Sequence, residues 1–198
     1  MKKRELVRSL GRGLRSCDPE ELACDTVQAV SLQIDNLAAR LFPPARAAEM
    51  RAVSRRERLR GFARDRALDC ELGQAVVALM HFARAGEVPA VPVSQHATMV
   101  VEAAFGAALA SAVNDHEVDR LDATLGAEGP LAATLVDVVL AARTRTHLTL
   151  EQDVSLPGLA ALTGKAVETI RFQMGVGHRV TWVAAAQARV WLATLPST

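Results

Sequence analysis

The 198-residue chain contains no tyrosine, and aromatic residues make up only 4% of it. It also has no glycine-rich phosphate loop, because neither LGRG at 10–13 nor GVG at 175–177 is followed by the residues that such a loop requires. A nucleophile elbow and a convergent group of catalytic polar residues are missing as well. The sequence therefore predicts a protein that is not an enzyme and that uses no cofactor.

Cysteine is scarce, with only Cys17, Cys24 and Cys70 in the chain. An odd number of cysteines without a secretion signal predicts free thiols and a cytoplasmic location. The N-terminus, MKKRELVRSLGRGLR, is basic but has no apolar core of the length that a signal peptide needs. Together with His81, the cysteines match no common zinc spacing, so we expect buried thiols rather than a metal site.

Long apolar runs are also absent. The longest one, Met99 to Val113, is about 15 residues long and contains Glu102, whereas a membrane-spanning helix needs about 20 apolar residues. This run is better explained as a buried helix, and the sequence predicts no membrane partner. The charged segment NDHEVDRLD at 114–122 is typical of the solvated first turn of a helix rather than of an ion site.

Alanine, leucine and arginine dominate the composition, and all three favour helices, so we predict an all-α fold. Start and stop signals place a short helix near Leu6–Leu14, longer helices at about 19–41, 55–84, 95–114 and 130–146, and a shorter helix at about 116–125. AGEVPAVPVS (85–94), with its two prolines, is typical of a loop, after which Ser94 would cap the next helix. The predicted regions are a helical, arginine-rich part (1–84), an apolar helical part (94–147) and a C-terminal part (148–198).

The helices at 95–114 and 130–146 are apolar on nearly all sides. Such a helix is buried in a core or against another subunit, and the alanine and glycine content of the first permits close helix packing. We expect these helices to form a homodimer interface, although a monomer core would also accommodate them.

The charge is unevenly distributed along a chain whose net charge is only +1. Residues 46–66 hold eight arginines against three acidic residues, and Arg4, Arg8, Arg12 and Arg15 share one helical face. Basic faces of this kind neutralise phosphates. The alternative is a solvated surface, or pairing with the acidic middle of the same protein.

The segment LAALTGKAVETIRFQM at 159–174 has the spacing of a helix-turn-helix. Ala160 is the small residue of the first helix, Gly164 tolerates positive φ in the turn, and Ile170 anchors the second helix. Ser155 is placed to cap the first helix, with Pro157 just inside its start. The second helix, about 166–174, would be the recognition helix. The alternative is that Leu159, Leu162, Ile170 and Phe172 are ordinary core of a helical hairpin.

This segment resembles the DNA-binding motif of the MerR and excisionase group of winged helix-turn-helix proteins, in Leu159-Ala160, Leu162-Thr163-Gly164 and Thr169-Ile170-Arg171-Phe172. The following sequence, GVGHRVTW, is similar to their glycine-containing wing with a basic residue, after which Thr181 would cap a last helix. The resemblance implies that Arg171 and Arg179 contact the DNA backbone. It covers about 45 residues at the C-terminus, whereas MerR proteins carry the unit at the N-terminus. Two positions depart from the family pattern. Gln173 stands where the family has a second aromatic residue, and Lys165 stands where it usually has an apolar residue in the turn.

These patterns predict a DNA-binding protein, most simply a dimeric transcriptional regulator that reads the major groove of double-stranded DNA with helix 166–174. Two alternatives stay open, a protein-interaction adaptor and a DNA-organising or partition protein whose binding is largely phosphate-driven. The candidate DNA-contacting residues are Lys165, Glu168, Thr169, Arg171, Gln173, His178 and Arg179, with Arg55, Arg56, Arg58 and Arg60 as a second contact.

Overall fold

The computed structural model describes residues 14, 17–41, 45, 48–49, 64–85, 91–115 and 131–195. Within these ranges it has eight helices and one two-stranded sheet, which confirms the all-α class. The elements are α1 (Pro19–Leu41), α2 (Arg64–Asp69), α3 (Glu71–Ala85), α4 (Val91–Asp115), α5 (Leu131–Thr149), β1 (Val154–Ser155), α6 (Leu156–Thr163), α7 (Val167–Met174), β2 (Trp182–Val183) and α8 (Ala185–Ala193).

The chain forms two compact units, and neither coincides with the three regions expected from the sequence. The N-terminal unit comprises Cys17–Ala78 and His96–Ala132, and the C-terminal unit comprises Met1–Ser16, Leu79–Gln95 and Ala133–Thr198. The reason for the difference is that contiguous stretches of α3, α4 and α5 contribute to both units. The predicted helix at 116–125 and most of the one near Leu6–Leu14 lie outside the described residues.

In the N-terminal unit, α1 has the limits that its sequence predicts. The Glu20 N–H donates to Asp18 Oδ1 at 2.8 Å, so Asp18 caps the helix, and Pro19 is its first residue. Leu22 and Val27 are buried on one face of α1, which packs against α2. The predicted limits of about 19–41 are thus confirmed for α1.

The predicted single helix at 55–84 is wrong in its described part, because it is interrupted at Cys70. The Cys70 thiol donates to the Ala67 carbonyl at 3.1 Å, and Sγ accepts from the Gly73 N–H at 3.4 Å, so Cys70 closes α2 and caps α3. A Cβ atom at Gly73 would collide with the Ala67 carbonyl, so this tight junction requires glycine there. All three cysteines are half-buried rather than buried, and no disulfide joins them.

Helix α4 begins earlier than expected, at Val91, so the predicted loop at 85–94 is shorter and Ser94 lies inside the helix. Its buried hydroxyl bonds the Thr146 hydroxyl at 3.3 Å instead of capping a helix start. Pro92 lies in the first turn of α4, where backbone N–H groups have no carbonyl partner within the helix. The N–H that proline lacks therefore costs no helical hydrogen bond. Gly106, at φ 54° and ψ −134°, kinks the helix in a conformation that favours glycine.

The apolar part of α4 is longer than the predicted 15 residues. Among the described residues, Val93–Asn114 is the one helical segment whose length and composition would allow it to cross a membrane. Buried helices of soluble proteins share this property. One side of α4 is open to solvent, at Met99, Ala103, Ala107 and Ala110.

Helix α5 is buried on all sides from Thr134 to Ala142, as its sequence predicts. Near its end, in the C-terminal unit, Arg145 donates from Nε to the Ala83 carbonyl at 2.8 Å and from Nη2 to the Arg84 carbonyl at 3.0 Å. The guanidinium thus caps the last turn of α3, where carbonyls lack helical partners and the helix dipole favours a cation. Burial lowers the pKa of Arg145.

One carboxyl group lies within this apolar helix. Asp137 is 1% exposed, and its Oδ1 atom has no hydrogen-bond partner among the described residues. Burial raises the pKa of Asp137 from 3.8 to about 8, because a charged carboxylate is poorly solvated among apolar side chains. The group is therefore mostly protonated at neutral pH.

The raised pKa of Asp137 predicts a stability that falls with pH. Between the unfolded pKa of 3.8 and the folded pKa of about 8, the folded chain holds a proton that the unfolded chain releases. The contribution is therefore fully present below pH 3.8 and is lost as the pH rises towards 8, by at most about 1.4 kcal/mol per pH unit. The amide of Asp137→Asn is neutral at every pH. The free energy of unfolding of this variant, relative to wild type, should therefore be higher at pH 8 than at pH 5.

Urea unfolding at the two pH values measures this difference, with Asp153→Asn at an exposed position as the control. A difference between wild type and Asp137→Asn that is the same at both pH values would contradict the assignment.

Candidate nucleic-acid interface

The C-terminal unit contains a helix-turn-helix formed by α6 and α7. Ser155 caps α6 by accepting the Gly158 N–H at 3.1 Å, and Pro157 lies in the first turn. Gly164 ends the helix at φ 71°, and its N–H donates to the Ala160 carbonyl at 2.8 Å. A left-handed residue here lets the chain turn within three residues and begin α7 at Val167. The predicted roles of Ser155, Pro157 and Gly164 are confirmed.

A small apolar cluster holds this unit together. Its buried members come from β1, α6, α7, β2 and α8, and they are Val154, Leu156, Leu159, Ile170, Val183, Ala188 and Trp191. Ile170 is the one fully buried residue of α7, so it anchors the second helix as the sequence predicts. Phe172 is 88% exposed and is therefore not core, whereas Leu159 and Ile170 are core residues as that alternative expected.

The segment after α7 forms a compact wing. Strand β2 pairs antiparallel with β1, with Val154 opposite Val183 and Ser155 opposite Trp182. The Val180 N–H donates to the Gly177 carbonyl at 3.0 Å and closes the turn between α7 and β2. The sequence suggested that Thr181 caps the last helix, but the structure does not place it there. The strand pairing occupies the next two residues, and α8 starts only at Ala185.

The four outward-facing residues of α7 form one continuous face, which we call the recognition face. It consists of Glu168, Thr169, Phe172 and Gln173, all exposed and spaced as neighbours on one side of a helix. Val167, Ile170 and Met174 pack towards the cluster on the other side. The recognition face carries no cation.

Arg171 lies at the edge of the recognition face and is engaged by the wing. Its Nε and Nη2 atoms donate to the Val180 carbonyl at 3.4 and 3.3 Å, and Nη1 lies 3.9 Å from Glu168 Oε1. Only 20% of its side-chain surface is exposed. The guanidinium therefore fastens the wing to α7, and a DNA contact from Arg171 stays a prediction that must be compatible with this role.

Gln173 is also engaged within the unit. Its Oε1 accepts the indole N–H of Trp191 at 3.2 Å. Bidentate pairing of this amide with adenine, which the sequence suggested, would require that bond to open. Beside Gln173, between α7 and α8, lies an open groove of about 500 Å³ whose walls include Met174, Ala186, Val190 and Trp191.

The remaining predicted contacts lie in the turn and the wing. His178 and Arg179 are exposed on the wing, and Lys165 is half-buried in the turn before α7. Lys165 donates its backbone N–H to the Thr163 hydroxyl at 3.4 Å. Arg55, Arg56, Arg58 and Arg60 lie outside the described residues. Within the described ranges, no three potential metal ligands lie together.

Two side chains that the sequence did not single out connect the segment from β1 to α8 with the end of α5. The His147 ring stacks on Trp182, with ring centroids 6.2 Å apart, and its Nδ1 bonds the Asp153 carbonyl at 2.8 Å. Arg189 of α8 pairs with Glu151 at 3.3 Å and also donates to the Leu148 carbonyl. Lone histidines and arginines with partners about 40 residues away in sequence give no local pattern that would reveal them.

The chain matches no protein-family model, no curated protein and no solved structure at a significant level.

Gly158 provides a test of the packing beneath the interface. A Cβ atom there would collide with the Thr144 hydroxyl and lie 2.9 Å from Ser155 Oγ. Thr144 is buried and donates to the Leu140 carbonyl at 2.8 Å, so it has little room to move. Gly158→Ala should therefore lower the free energy of unfolding by about 1–3 kcal/mol.

Gly177→Ala is the matched control, because its Cβ would meet no atom within 4 Å and its φ is not positive. Thermal or urea unfolding compares the two variants. Equal stability of both would show that α6 does not pack on α5 in the way described.

Proposed function

We propose that this chain is a DNA-binding protein that inserts α7 into the major groove and contacts the flanking backbone with its wing. The observation that carries the proposal is the recognition face. The Ile170 anchor and the turn at Gly164 hold α7 on the outside of the unit, next to a strand-paired wing, with hydrogen-bonding side chains outward. This arrangement matches the needs of a helix that reads base edges. The resemblance to MerR and excisionase proteins points the same way.

The electrostatics of the unit favour weak binding by a single copy. Residues 148–195 carry four basic side chains (Lys165, Arg171, Arg179 and Arg189) and three acidic ones (Glu151, Asp153 and Glu168), a net charge of +1. Each phosphate that a cation neutralises contributes to affinity by releasing counterions. Useful affinity therefore calls for a second contact, for which the arginines at 55, 56, 58 and 60 are our candidates, and for a second copy of the unit.

The wing contact predicts a specific salt dependence. We expect binding of a labelled duplex pool to weaken steeply between low and physiological salt, in proportion to the phosphates contacted. Arg179→Ala should weaken binding to all sequences alike and reduce the slope of log K against log salt by about 1. Fluorescence anisotropy over a salt series measures both quantities.

Arg189→Ala is the matched control, because this arginine of the same unit is paired with Glu151. It should leave the slope unchanged, provided that circular dichroism shows both variants folded. Arg171→Ala is less informative, since it also releases the wing. A wild-type slope near zero would argue against DNA binding.

We further propose that the protein acts as a homodimer through α4. Helix α5 is enclosed within its own chain, whereas Met99, Ala103, Ala107 and Ala110 line an open side of α4 that permits close approach of a second helix. A dimer supplies two copies of α7, and we expect each copy to read one half-site of a pseudo-palindromic site, with half-sites about 34 Å apart as is usual for dimeric helix-turn-helix proteins.

Placing a charge in this stripe tests the dimer. Ala107→Glu should convert the dimer to a monomer, because an unpaired carboxylate would be buried between the two copies. Ala193→Glu, at an exposed alanine in the last turn of α8, should have no such effect. Light scattering after size exclusion gives the mass of each variant. A monomeric wild type, or a dimeric Ala107→Glu, would contradict the proposed interface.

A protein-interaction adaptor is the second candidate function. It is favoured by the exposed Phe172 and Val190 side chains and by the apolar groove between α7 and α8. An apolar interface would show little dependence on salt, so the same titration series separates the two candidates. A DNA-organising protein would show the same salt-dependent binding to DNA as a regulator, but with little preference among DNA sequences.

A further inference from the structure

Phe172 is the most exposed large apolar side chain among the described residues, at 88% of its surface. It lies within the recognition face, one residue before Gln173 and three after Thr169. Burying a phenyl ring against an apolar surface is favourable, and folding of this unit does not use that contribution. The ring of Phe172 is therefore available to a binding partner.

The side chains around the ring indicate the chemistry of that partner. Glu168, Thr169 and Gln173 border Phe172 with hydrogen-bonding groups, so the recognition face is an apolar centre within a polar rim. Lys165 precedes the face in the chain, and Arg179 follows it on the wing. A purely apolar protein surface would desolvate the Glu168 carboxylate, which is 70% exposed and has only a 3.9 Å contact with the Arg171 guanidinium to offset that cost.

The major groove of DNA offers a surface that is complementary to this face. Its base edges carry donors and acceptors, phosphates flank it on both sides, and its one apolar feature is the C5-methyl group of thymine. A face with one ring among polar groups and cations outside it matches this pattern point by point.

We infer that Phe172 is a specificity-determining residue that packs on the C5-methyl group of a thymine. The inference rests on the proposed function and extends it, because it specifies a T·A pair at one position of each half-site. It also means that α7 reads the DNA sequence through Phe172 and not through Arg171, because the Arg171 guanidinium is bonded to the wing.

Replacing thymine by deoxyuridine tests this contact, since deoxyuridine lacks only the methyl group and keeps every hydrogen-bonding atom. The full-length protein is first used to enrich a duplex from a random pool. Each thymine of that duplex is then replaced in turn. Wild type should bind about fourfold more weakly when one particular thymine is replaced, the factor expected for burying one methyl-sized group.

Phe172→Ala should bind the thymine and deoxyuridine duplexes with equal, reduced affinity. Because the ring is outside the core, this variant should retain the wild-type circular dichroism and unfolding midpoint. Val190→Ala, which shortens another exposed apolar side chain, should keep the fourfold difference. Thr169→Ser removes the other methyl group on the recognition face and should also keep it.

Four results would overturn the inference while DNA binding stands. They are equal wild-type affinity for all thymine and deoxyuridine duplexes, a difference retained by Phe172→Ala, a difference lost in Thr169→Ser, and a change of oligomeric mass in Phe172→Ala, which would assign the ring to a protein contact. Failure to enrich any duplex, with no salt-dependent binding, would overturn the proposed function as well.

Discussion

The Ile170 side chain lies in a cluster formed by both helices of the turn, both strands and the last helix, and the geometry of the C-terminal unit depends on that burial. A helix of eight residues has little stability alone, because nucleation is costly and only a few hydrogen bonds follow. Packing through Ile170 supplies what α7 lacks. It also fixes the rotation of α7, so that the residues on its other side must face solvent.

Once α7 is fixed in this way, its side chains divide between structure and surface. Arg171 and Gln173 are polar, yet one bonds the wing carbonyl of Val180 and the other the indole of Trp191. Phe172 is apolar, yet it faces water. The polarity of a residue is therefore a poor guide to its role in this helix. Which groups are available to a partner depends on which ones the wing and α8 have already engaged.

Asp137 is a polar residue that folding places inside an apolar helix. Nine consecutive residues of α5 are enclosed, and the one carboxyl group among them is accommodated as its neutral form. Protonation avoids the larger cost of burying an unpaired charge, at the expense of a stability that depends on pH. At the other end of α5, burial also lowers the pKa of Arg145, and two carbonyls of the α3 terminus accept hydrogen bonds from its guanidinium.

The sequence by itself determined the features that depend on local chemistry. Asp18, Ser155 and Gly164 act within a few residues of their own position, so their patterns predicted the start of α1 and the turn of the helix-turn-helix. The helix-favouring composition likewise predicted the all-α class, the apolar character of α5 on nearly all sides predicted its burial, and the helix-turn-helix spacing predicted the anchoring role of Ile170. These inferences need only helix periodicity and the backbone preferences of single residues.

Only the tertiary structure decided features that depend on partners distant in sequence. The break at Cys70 comes from a thiol and a glycine packed in one junction, and the place of Ser94 inside α4 follows its contact with Thr146. The late start of α8 results from strand pairing across about 30 residues. In the candidate site, the bond from Arg171 to the wing and the exposure of Phe172 were not predictable, because a motif specifies which residues are present and not which neighbours bind them first.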